Sequence, residues 1–298
     1  MKIALDVMGG DKAPVEILAG AYEALRAGTI GADDLLLVGD RERIEADIAT
    51  QGQKPVFEVQ HAPENIGMDE HPAQALRRKR NSSIVVAAKL MREAKVGGMV
   101  SAGNTGAAVA AATLLIGLLK GVRRPGIAVT FHTAGGPCTL IDCGANIHCQ
   151  PDDLYTYGEM ASKYMTGLHG IQRPRIGLLN IGEEDAKGSP LVQDTRKLFG
   201  ESALNFIGNV EGQDVFSGRC DVIVCEGFVG NVVLKVSEGL GQYIAELFAA
   251  QVKDHAHQNG GAIWKEGARA ILGRLDYAEY GGAPLPGVNG GDIIGPRR

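Results

Sequence analysis

Polar side chains in this sequence gather in short glycine-rich turns that follow apolar runs. The group combines three amides, three carboxylates, one hydroxyl, one imidazole and one lysine: Asp11, Asn104, Thr105, Asn146, His148, Glu183, Glu184, Lys187 and Asn231. It holds no obvious covalent nucleophile. Amides and a lysine at such turns suit a reaction in which an external anion attacks a bound carbonyl, while the protein supplies orientation and charge stabilisation.

Several common catalytic motifs are absent from the sequence. We find no phosphate loop GxxxxGK[ST], no dinucleotide fingerprint GxGxxG, no hydrolase elbow GxSxG and no HExxH pair. These absences disfavour nucleotide binding by those two loops, a serine triad and metal catalysis. The five cysteines form no CxxC pair, and we interpret them as reduced packing residues. A nucleophilic Cys143 is the alternative, and it would need a histidine or a helix N-terminus nearby.

The turns alternate with strands and helices in a regular order. Apolar runs that end in such turns lie at 3–7, 35–38, 98–101, 139–142, 176–180 and 222–225. Helical periodicity follows most of them, which predicts an α/β fold with a mostly parallel, doubly wound sheet. Residues 127–131 and 137–142 are predicted to be adjacent strands. Ligands of parallel sheets bind at the carboxyl ends of the strands, where these turns lie.

Length and charge limit the class of protein further. The chain has 298 residues, 42 of them glycine, and 30 Lys+Arg against 35 Asp+Glu give a net charge of −5. A chain with this net negative charge has no overall positive electrostatic field that would attract nucleic acid. No apolar stretch is long enough to span a bilayer, and the start of the chain reads as a strand and loop, so we expect a cytoplasmic protein. We predict one α/β domain over 1–298, with a protruding helical hairpin at about 232–275. At this length, two interlocked lobes are the alternative.

One run of four cations stands out against the acidic balance. Arg77, Arg78, Lys79 and Arg80 precede a helix-like segment at 84–93. Such a run is often a solvated face. Alternatively it docks an acidic protein or binds phosphate, because the net negative chain would otherwise repel such a partner.

Taken together, the turns resemble the bacterial phosphate acyltransferase family PlsX of phospholipid synthesis. Seven segments carry the resemblance, in order along nearly the whole chain: ALDVMGGD at 4–11, HPAQALRRKRNSS at 71–83, SAGNTGA at 101–107, LIDCGAN at 140–146, LLNIGEEDAKG at 178–188, NFIGNVEGQDVFSG at 205–218 and CEGFVGNVVLK at 225–235. Ordered agreement of this kind is more specific than any single glycine turn. The final residues, 288–298, depart from the family pattern.

The resemblance implies transfer of a long-chain acyl group from acyl carrier protein to inorganic phosphate, which gives acyl phosphate. It implies no metal and no organic cofactor. It also implies a fold similar to isocitrate and isopropylmalate dehydrogenases and to phosphotransacetylase. The expected state is a cytoplasmic homodimer attached peripherally to the membrane surface. Contact with the downstream glycerol-3-phosphate acyltransferase is expected, and no nucleic-acid partner.

Site residues follow from the same resemblance. Lys187 and Asn231 are the expected catalytic residues. The expected substrate-binding residues are Asp6, Gly9, Gly10, Asp11, Asn104, Thr105, Gly106, Asn146 and Glu183. Two other functions stay open at this point, an acetyl-type phosphotransacylase that uses coenzyme A and a non-catalytic lipid-sensing scaffold at the membrane.

The segment at 251–275 has two interpretations. Trp264, Ala268, Ile271 and Leu275 recur at helical spacing and share one face. A helix of this kind packs against the core or a second subunit in most soluble proteins. The membrane attachment implied by the resemblance instead favours a shallow interfacial hairpin that releases the acyl phosphate product into the bilayer.

Overall fold

A computed structural model describes residues 1–255 and 282–295. The chain divides into two compact units. Unit 1 comprises Met1–Pro125 and Ala283–Arg298, and unit 2 comprises Gly126–Gly282. The expectation of a single domain over 1–298 stays a prediction.

The two units alternate strands and helices. The strands are β1 (Ile3–Asp6), β2 (Leu35–Gly39), β3 (Glu58–His61), β4 (Gly98–Ser101), β5 (Ala128–Thr133), β6 (Gly136–Ile141), β7 (Ile176–Leu179), β8 (Phe206–Val210), β9 (Val222–Val224), β10 (Ala283–Pro284) and β11 (Gly291–Ile294). The α-helices are α1 (Val15–Arg26), α2 (Arg41–Thr50), α3 (Pro72–Arg78), α4 (Ser83–Arg92), α5 (Thr105–Ala111), α6 (Pro151–His169), α7 (Pro190–Gly200) and α8 (Gly227–His255). A π-helical turn at Ala112–Ile116 extends α5, and short 3₁₀ turns lie at Ala32–Asp34 and Gly212–Phe216.

Unit 1 is built on a six-stranded sheet in the order β10-β11-β4-β1-β2-β3. Every neighbouring pair is parallel except β10 with β11. The central strands read as continuous apolar runs, as expected of parallel strands covered on both faces. Leu37 of β2 is fully buried and packs in a cluster with Leu18 of α1 and Ile44 of α2. Burial of these apolar side chains drives the sheet and helices together.

Unit 2 is built on a five-stranded sheet in the order β5-β6-β9-β7-β8. The pair β5 and β6 is antiparallel and the other pairs are parallel. Helix α6 covers one face, where Leu154, Tyr157 and Met165 are almost fully buried against Leu178 of β7. The core of this unit therefore lies between α6 and the parallel strands.

The structure confirms the α/β class and the strand–turn–helix order. The apolar runs beginning at Ile3, Leu35, Gly98, Ile176 and Val222 are all strands. The predicted adjacent strands are the antiparallel pair β5 and β6. The parallel strands form two sheets, one in each unit. Of the predicted hairpin at 232–275, the first part is helix α8, and 256–275, with Trp264, Ile271 and Leu275, lies outside the described residues.

Candidate active site

In unit 1, the turns after β1 and β4 meet backbone to backbone. A Cβ atom placed on Gly9 would lie 2.7 Å from Asp6 Oδ2 and 2.8 Å from the backbone nitrogen of Gly103. Real Cβ atoms do not approach so closely, so only glycine fits between these two strand ends. The parallel pairing of β1 with β4 brings the turns together.

Asp6 is buried beneath these turns and is well supplied with donors. Ser101 Oγ donates to its Oδ2 at 2.7 Å, and the backbone nitrogen of Met8 donates to its Oδ1 at 3.2 Å. Burial raises the pKa of the Asp6 carboxyl, and hydrogen bonds from Ser83, Ser101 and two backbone N–H groups oppose the rise. With its acceptor sites occupied in this way, Asp6 orders the turn.

Asn104 joins the turn after β4 to the preceding loop. Its Oδ1 caps α5 by accepting from the backbone nitrogen of Ala107 at 3.0 Å. Its Nδ2 donates to the carbonyl oxygens of Gly67, Met68 and Glu70 at 3.1–3.2 Å. The side chain is therefore engaged at both ends. A small pocket lies beside it, lined by Asp6, Met8, Gly9, Ile66, Ser83, Ile84, Gly103, Asn104 and Ala107.

In unit 2, Asp142 organises the turn that follows β6. It is fully buried, and its carboxylate accepts from the backbone nitrogens of Ile127, Gly144 and Ala145 at 2.9–3.0 Å. The backbone nitrogen of Asn146 donates to its other oxygen at 2.7 Å. Burial raises the pKa of the Asp142 carboxyl, while these N–H groups stabilise its charged form.

Asn146 continues this network. Its Nδ2 donates to Tyr157 Oη at 2.9 Å and to Asp142 Oδ2 at 3.3 Å. Its carbonyl oxygen accepts from the backbone nitrogen of Gly227, the first residue of α8, at 2.8 Å. The turn after β6 and the start of α8 are thus directly bonded.

The N-terminus of α8 places Asn231. Glu226 accepts from the backbone nitrogens of Phe228 and Val229 at 2.7 and 3.0 Å, which caps the helix. Gly230 packs so closely on the carbonyl oxygen of Asp142 that no Cβ atom fits. The side chain of Asn231 lies over Gly144, at 3.5 Å from a Cβ placed there. Asn231 is exposed, so its amide is accessible to a ligand.

Three carboxamide side chains hold the loop between β7 and α7. Asn180 Nδ2 donates to the carbonyl oxygens of Gly182 and Lys187, each at 3.1 Å. Asn209 Nδ2 donates to the carbonyl oxygen of Glu184 at 3.1 Å. Gln193 Nε2 donates to the carbonyl oxygens of Ala186 and Gly188, at 2.9 and 3.3 Å. We call Asn180, Gln193 and Asn209 the amide clamp.

The amide clamp leaves N–H groups of the loop unused. In the described part of the chain, the backbone nitrogens of Gly182, Asp185 and Gly188 donate to no acceptor. Ser189 caps α7, which begins directly after this loop. Unpaired N–H groups beside a helix N-terminus attract anions.

Lys187 supplies a cation to the same loop. Its side chain runs along Gly182, and its Nζ pairs with Glu184 Oε2 at 2.9 Å. The hydrogen bond to Glu184 raises the pKa of Lys187, so this half-exposed side chain stays protonated at neutral pH. A permanent ammonium suits charge neutralisation of a bound anion rather than proton abstraction. Glu183 is also exposed and pairs with Arg219.

The structure brings the predicted residues together as two groups. In unit 1, the turns after β1 and β4 gather seven of them: Asp6, Gly9, Gly10, Asp11, Asn104, Thr105 and Gly106. In unit 2, Asn146, Glu183, Lys187 and Asn231 follow the neighbouring parallel strands β6, β7 and β9. Asn231 lies against the Asn146 turn, whereas no hydrogen bond or ion pair within the described ranges joins it to Lys187.

Sequence reasoning missed the residues that support these groups. Asp142 and the amide clamp were not predicted, although Asp142 stands at a strand end, which is the position that marked the other candidates. Cys143 is buried, and burial raises its pKa well above the usual value, which disfavours the thiolate that a nucleophile needs. Over 1–255 and 282–295, no cluster of three His, Cys, Asp or Glu side chains is arranged to hold a metal ion.

Comparison with solved structures defines the class of fold. The EutD phosphotransacetylase from Staphylococcus aureus matches with a TM-score of 0.61 at 17% identity, over 100% of this chain and 88% of that one. A phosphotransacetylase from Streptococcus pyogenes matches with a TM-score of 0.60 at 16% identity, over 81% of this chain and 82% of that one. The fold is therefore of the phosphotransacetylase type, as the resemblance implied.

Sequence comparison assigns the family. The model of the fatty acid synthesis protein family matches residues 1–296, and the chain belongs to that family. A relative in Desulforamulus reducens is 45% identical over 99% of this chain and 87% of its own length. Another in Desulfitobacterium hafniense is 47% identical over 99% of this chain and 88% of its own length. Both relatives are named phosphate acyltransferase.

Proposed function

We propose that this protein, a phosphate acyltransferase, transfers a long-chain acyl group from acyl carrier protein to inorganic phosphate. The loop at 180–189 carries the proposal, because it combines the Lys187 ammonium with unpaired backbone N–H groups beside the N-terminus of α7. Such a loop suits an oxyanion such as phosphate. The family match and the names of the relatives indicate that the transferred group is an acyl group.

The reaction needs no covalent enzyme intermediate. A phosphate oxygen attacks the thioester carbonyl carbon, a new C–O bond forms, and the C–S bond breaks as the carrier thiolate leaves. Lys187 neutralises charge on phosphate, and the Asn231 amide donates to the oxyanion that develops on the carbonyl oxygen. The amide clamp keeps the Lys187 loop in one conformation, which lowers the cost of ordering it around substrate. The predicted residues of unit 1 stay proposed as substrate-binding residues.

The assignment is tested by incubating the purified protein with long-chain acyl carrier protein and phosphate. Formation of acyl phosphate is expected, and transfer from acetyl coenzyme A alone would instead favour the acetyl-type function. No transfer from either donor would favour the lipid-sensing scaffold.

Substitution tests the two proposed catalytic residues. Lys187→Ala and Asn231→Ala are each expected to lose at least about 10²-fold in turnover, the scale of one lost transition-state contact. Both side chains are exposed, so folding is expected to be retained. Lys197→Ala is the matched control, since Lys197 is an exposed, salt-bridged lysine of α7. Folded variants with wild-type rates would remove Lys187 and Asn231 from the mechanism.

A homodimer is proposed from an apolar stripe along α8. The exposed residues of this stripe recur at spacings of three and four: Val229, Val232, Val236, Leu240, Tyr243 and Leu247. Large apolar side chains aligned on one helical face mark an interaction surface. Val236→Asp with Leu240→Asp is expected to give monomers in sedimentation, and an unchanged dimer would reject this surface.

Membrane association belongs to the same proposal. Among the helices within the described residues, none has the length and hydropathy needed to cross a bilayer. We propose peripheral attachment in the cytoplasm and contact with the downstream glycerol-3-phosphate acyltransferase, since acyl phosphate is a reactive, poorly soluble product. Co-sedimentation of the purified protein with anionic vesicles tests the attachment.

A further inference from the structure

The cationic run at 77–80 divides into three exposed arginines and one engaged lysine. Lys79 Nζ pairs with Glu70 Oε1 at 2.5 Å and donates to the carbonyl oxygen of Asn65 at 2.8 Å. Arg77, Arg78 and Arg80 are exposed at the end of α3 and in the turn before α4. We call these three residues the arginine patch.

The guanidinium groups of the arginine patch are open to solvent, and only the charge of Arg78 acts on a nearby carboxylate, by helping to lower the pKa of Glu70. Over the described residues, no carboxylate lies within ion-pair distance of any of the three guanidinium groups. Arg80 makes a single long contact, from Nε to the carbonyl oxygen of Arg77 at 3.4 Å. Three positive charges therefore face solvent on a chain whose net charge is −5. A local field of opposite sign to the whole molecule selects acidic partners.

The engaged lysine connects the patch to the pocket of unit 1. Glu70, which pairs with Lys79, belongs to the loop that Asn104 holds through three carbonyl oxygens. On the other side, the backbone nitrogen of Ser82 donates to the carbonyl oxygen of Lys79 at 3.2 Å, and Ser83 lines the pocket. A partner bound to the arginine patch thus lies beside the turns after β1 and β4.

The surroundings of the patch favour a protein over a lipid surface. No large hydrophobic side chain is exposed between residues 57 and 113. A membrane-binding surface would pair its cations with exposed apolar groups. Guanidinium groups bind carboxylates in a bidentate geometry, which suits an acidic helix or loop of another protein.

We propose that the arginine patch docks an acidic protein surface, which is that of acyl carrier protein if the proposed function holds. The inference rests on the proposed function for the identity of the partner.

The test compares two variants of equal charge change. The triple variant Arg77→Glu, Arg78→Glu, Arg80→Glu reverses the patch. The control reverses three other exposed cations of unit 1, namely Arg26, Arg43 and Lys54. Binding of acyl carrier protein is measured by titration calorimetry at low and high salt, and kcat/KM is measured with acyl carrier protein and with an acyl-pantetheine thioester as donors.

Reversal of the patch is expected to weaken binding of acyl carrier protein at least tenfold, to flatten its salt dependence and to lower kcat/KM for that donor only. Equal affinity in the patch and control variants would overturn the proposal, as would equal losses with both donors. Loss of binding to anionic vesicles with unchanged carrier binding would also overturn it. If the wild-type protein transfers no acyl group but its carrier binding depends on the patch, the proposed function fails while the docking surface stands.

Discussion

The contact between Gly227 and Asn146 gives a sharp test of how α8 is positioned. A Cβ atom on Gly227 would lie 2.6 Å from the carbonyl oxygen of Asn146 and 2.9 Å from its backbone carbon and nitrogen. Ordinary contact begins at 3.4 Å, so Gly227→Ala requires a displacement of 3.4 − 2.6 = 0.8 Å. The obstructing atoms are backbone, and no side-chain rotation relieves the overlap.

The displacement should reach the proposed catalytic amide. Asn231 lies one helical turn after Gly227 on the same helix. A misplacement of about 1 Å costs roughly 10²-fold in rate, so Gly227→Ala is expected to lose between about tenfold and 10²-fold in turnover. Overpacking of this kind also costs about 1–3 kcal/mol of unfolding free energy.

The control is the same substitution in open space. Gly20 lies inside α1, where an added Cβ meets no atom within 4 Å. Gly20→Ala is expected to stabilise the protein by about 0.5–1 kcal/mol with unchanged turnover. Urea denaturation and acyl phosphate formation are measured on both variants. If Gly227→Ala matched Gly20→Ala in both measurements, the contact would not hold α8 in place and this reasoning would be wrong.

Two further perturbations probe buried polar groups. Asp292 of β11 is buried, and burial raises its pKa from 3.8 to about 7, with only a backbone hydrogen bond from Ile293 opposing the rise. Because the pKa of Asp292 is higher in the folded state than in the unfolded state, the folded protein is favoured while the carboxyl is protonated. This contribution to the free energy of unfolding is complete below about pH 4, and up to about 4 kcal/mol of it is lost as the pH rises to about 7. Asp292→Asn should remove this loss, and urea denaturation of both proteins at pH 5 and pH 8 checks it. Loss of the Asn209 hydrogen bond to Glu184 in Asn209→Ala should lower turnover about tenfold, and it should have no further effect in a Lys187→Ala background. Additive losses in that double-mutant cycle would separate the amide clamp from Lys187.

Most of the strands and helices could be predicted from the sequence, but the neighbours that each strand pairs with in a sheet could not. The turn-bounded apolar runs that begin at Ile3, Leu35 and Ile176 form strands, because their apolar composition favours the buried, extended conformation. Two sheets were not predicted, because every strand–turn–helix unit reads alike and the choice of sheet depends on contacts far apart in sequence. Strand β11 has only four residues and pairs with β4, nearly two hundred residues earlier, so no local pattern announces it.

The candidate site shows the same division. Lys187 and Asn231 were predicted because turn polarity and family resemblance coincide at them, and their catalytic role stays a prediction. Asp142 was missed because its structural role depends on the backbone N–H groups that the fold brings to its carboxylate. One of them belongs to Ile127, which directly precedes β5 and is distant from Asp142 in sequence. Likewise, Lys79 cannot be told from its arginine neighbours by sequence, because its pairing with Glu70 depends on the folded arrangement of the loop and α3.

The return of the chain to unit 1 has a consequence for its synthesis. Unit 2 is one continuous stretch, whereas the sheet of unit 1 receives β10 and β11 only after residue 282. While the ribosome is still making unit 2, β4 is therefore an open edge with unpaired backbone groups. Open edges of this kind template pairing with other nascent chains. A polypeptide that is truncated before β11 keeps the β4 edge uncovered. We expect this edge to be the part of the truncated chain that chaperones and proteases recognise.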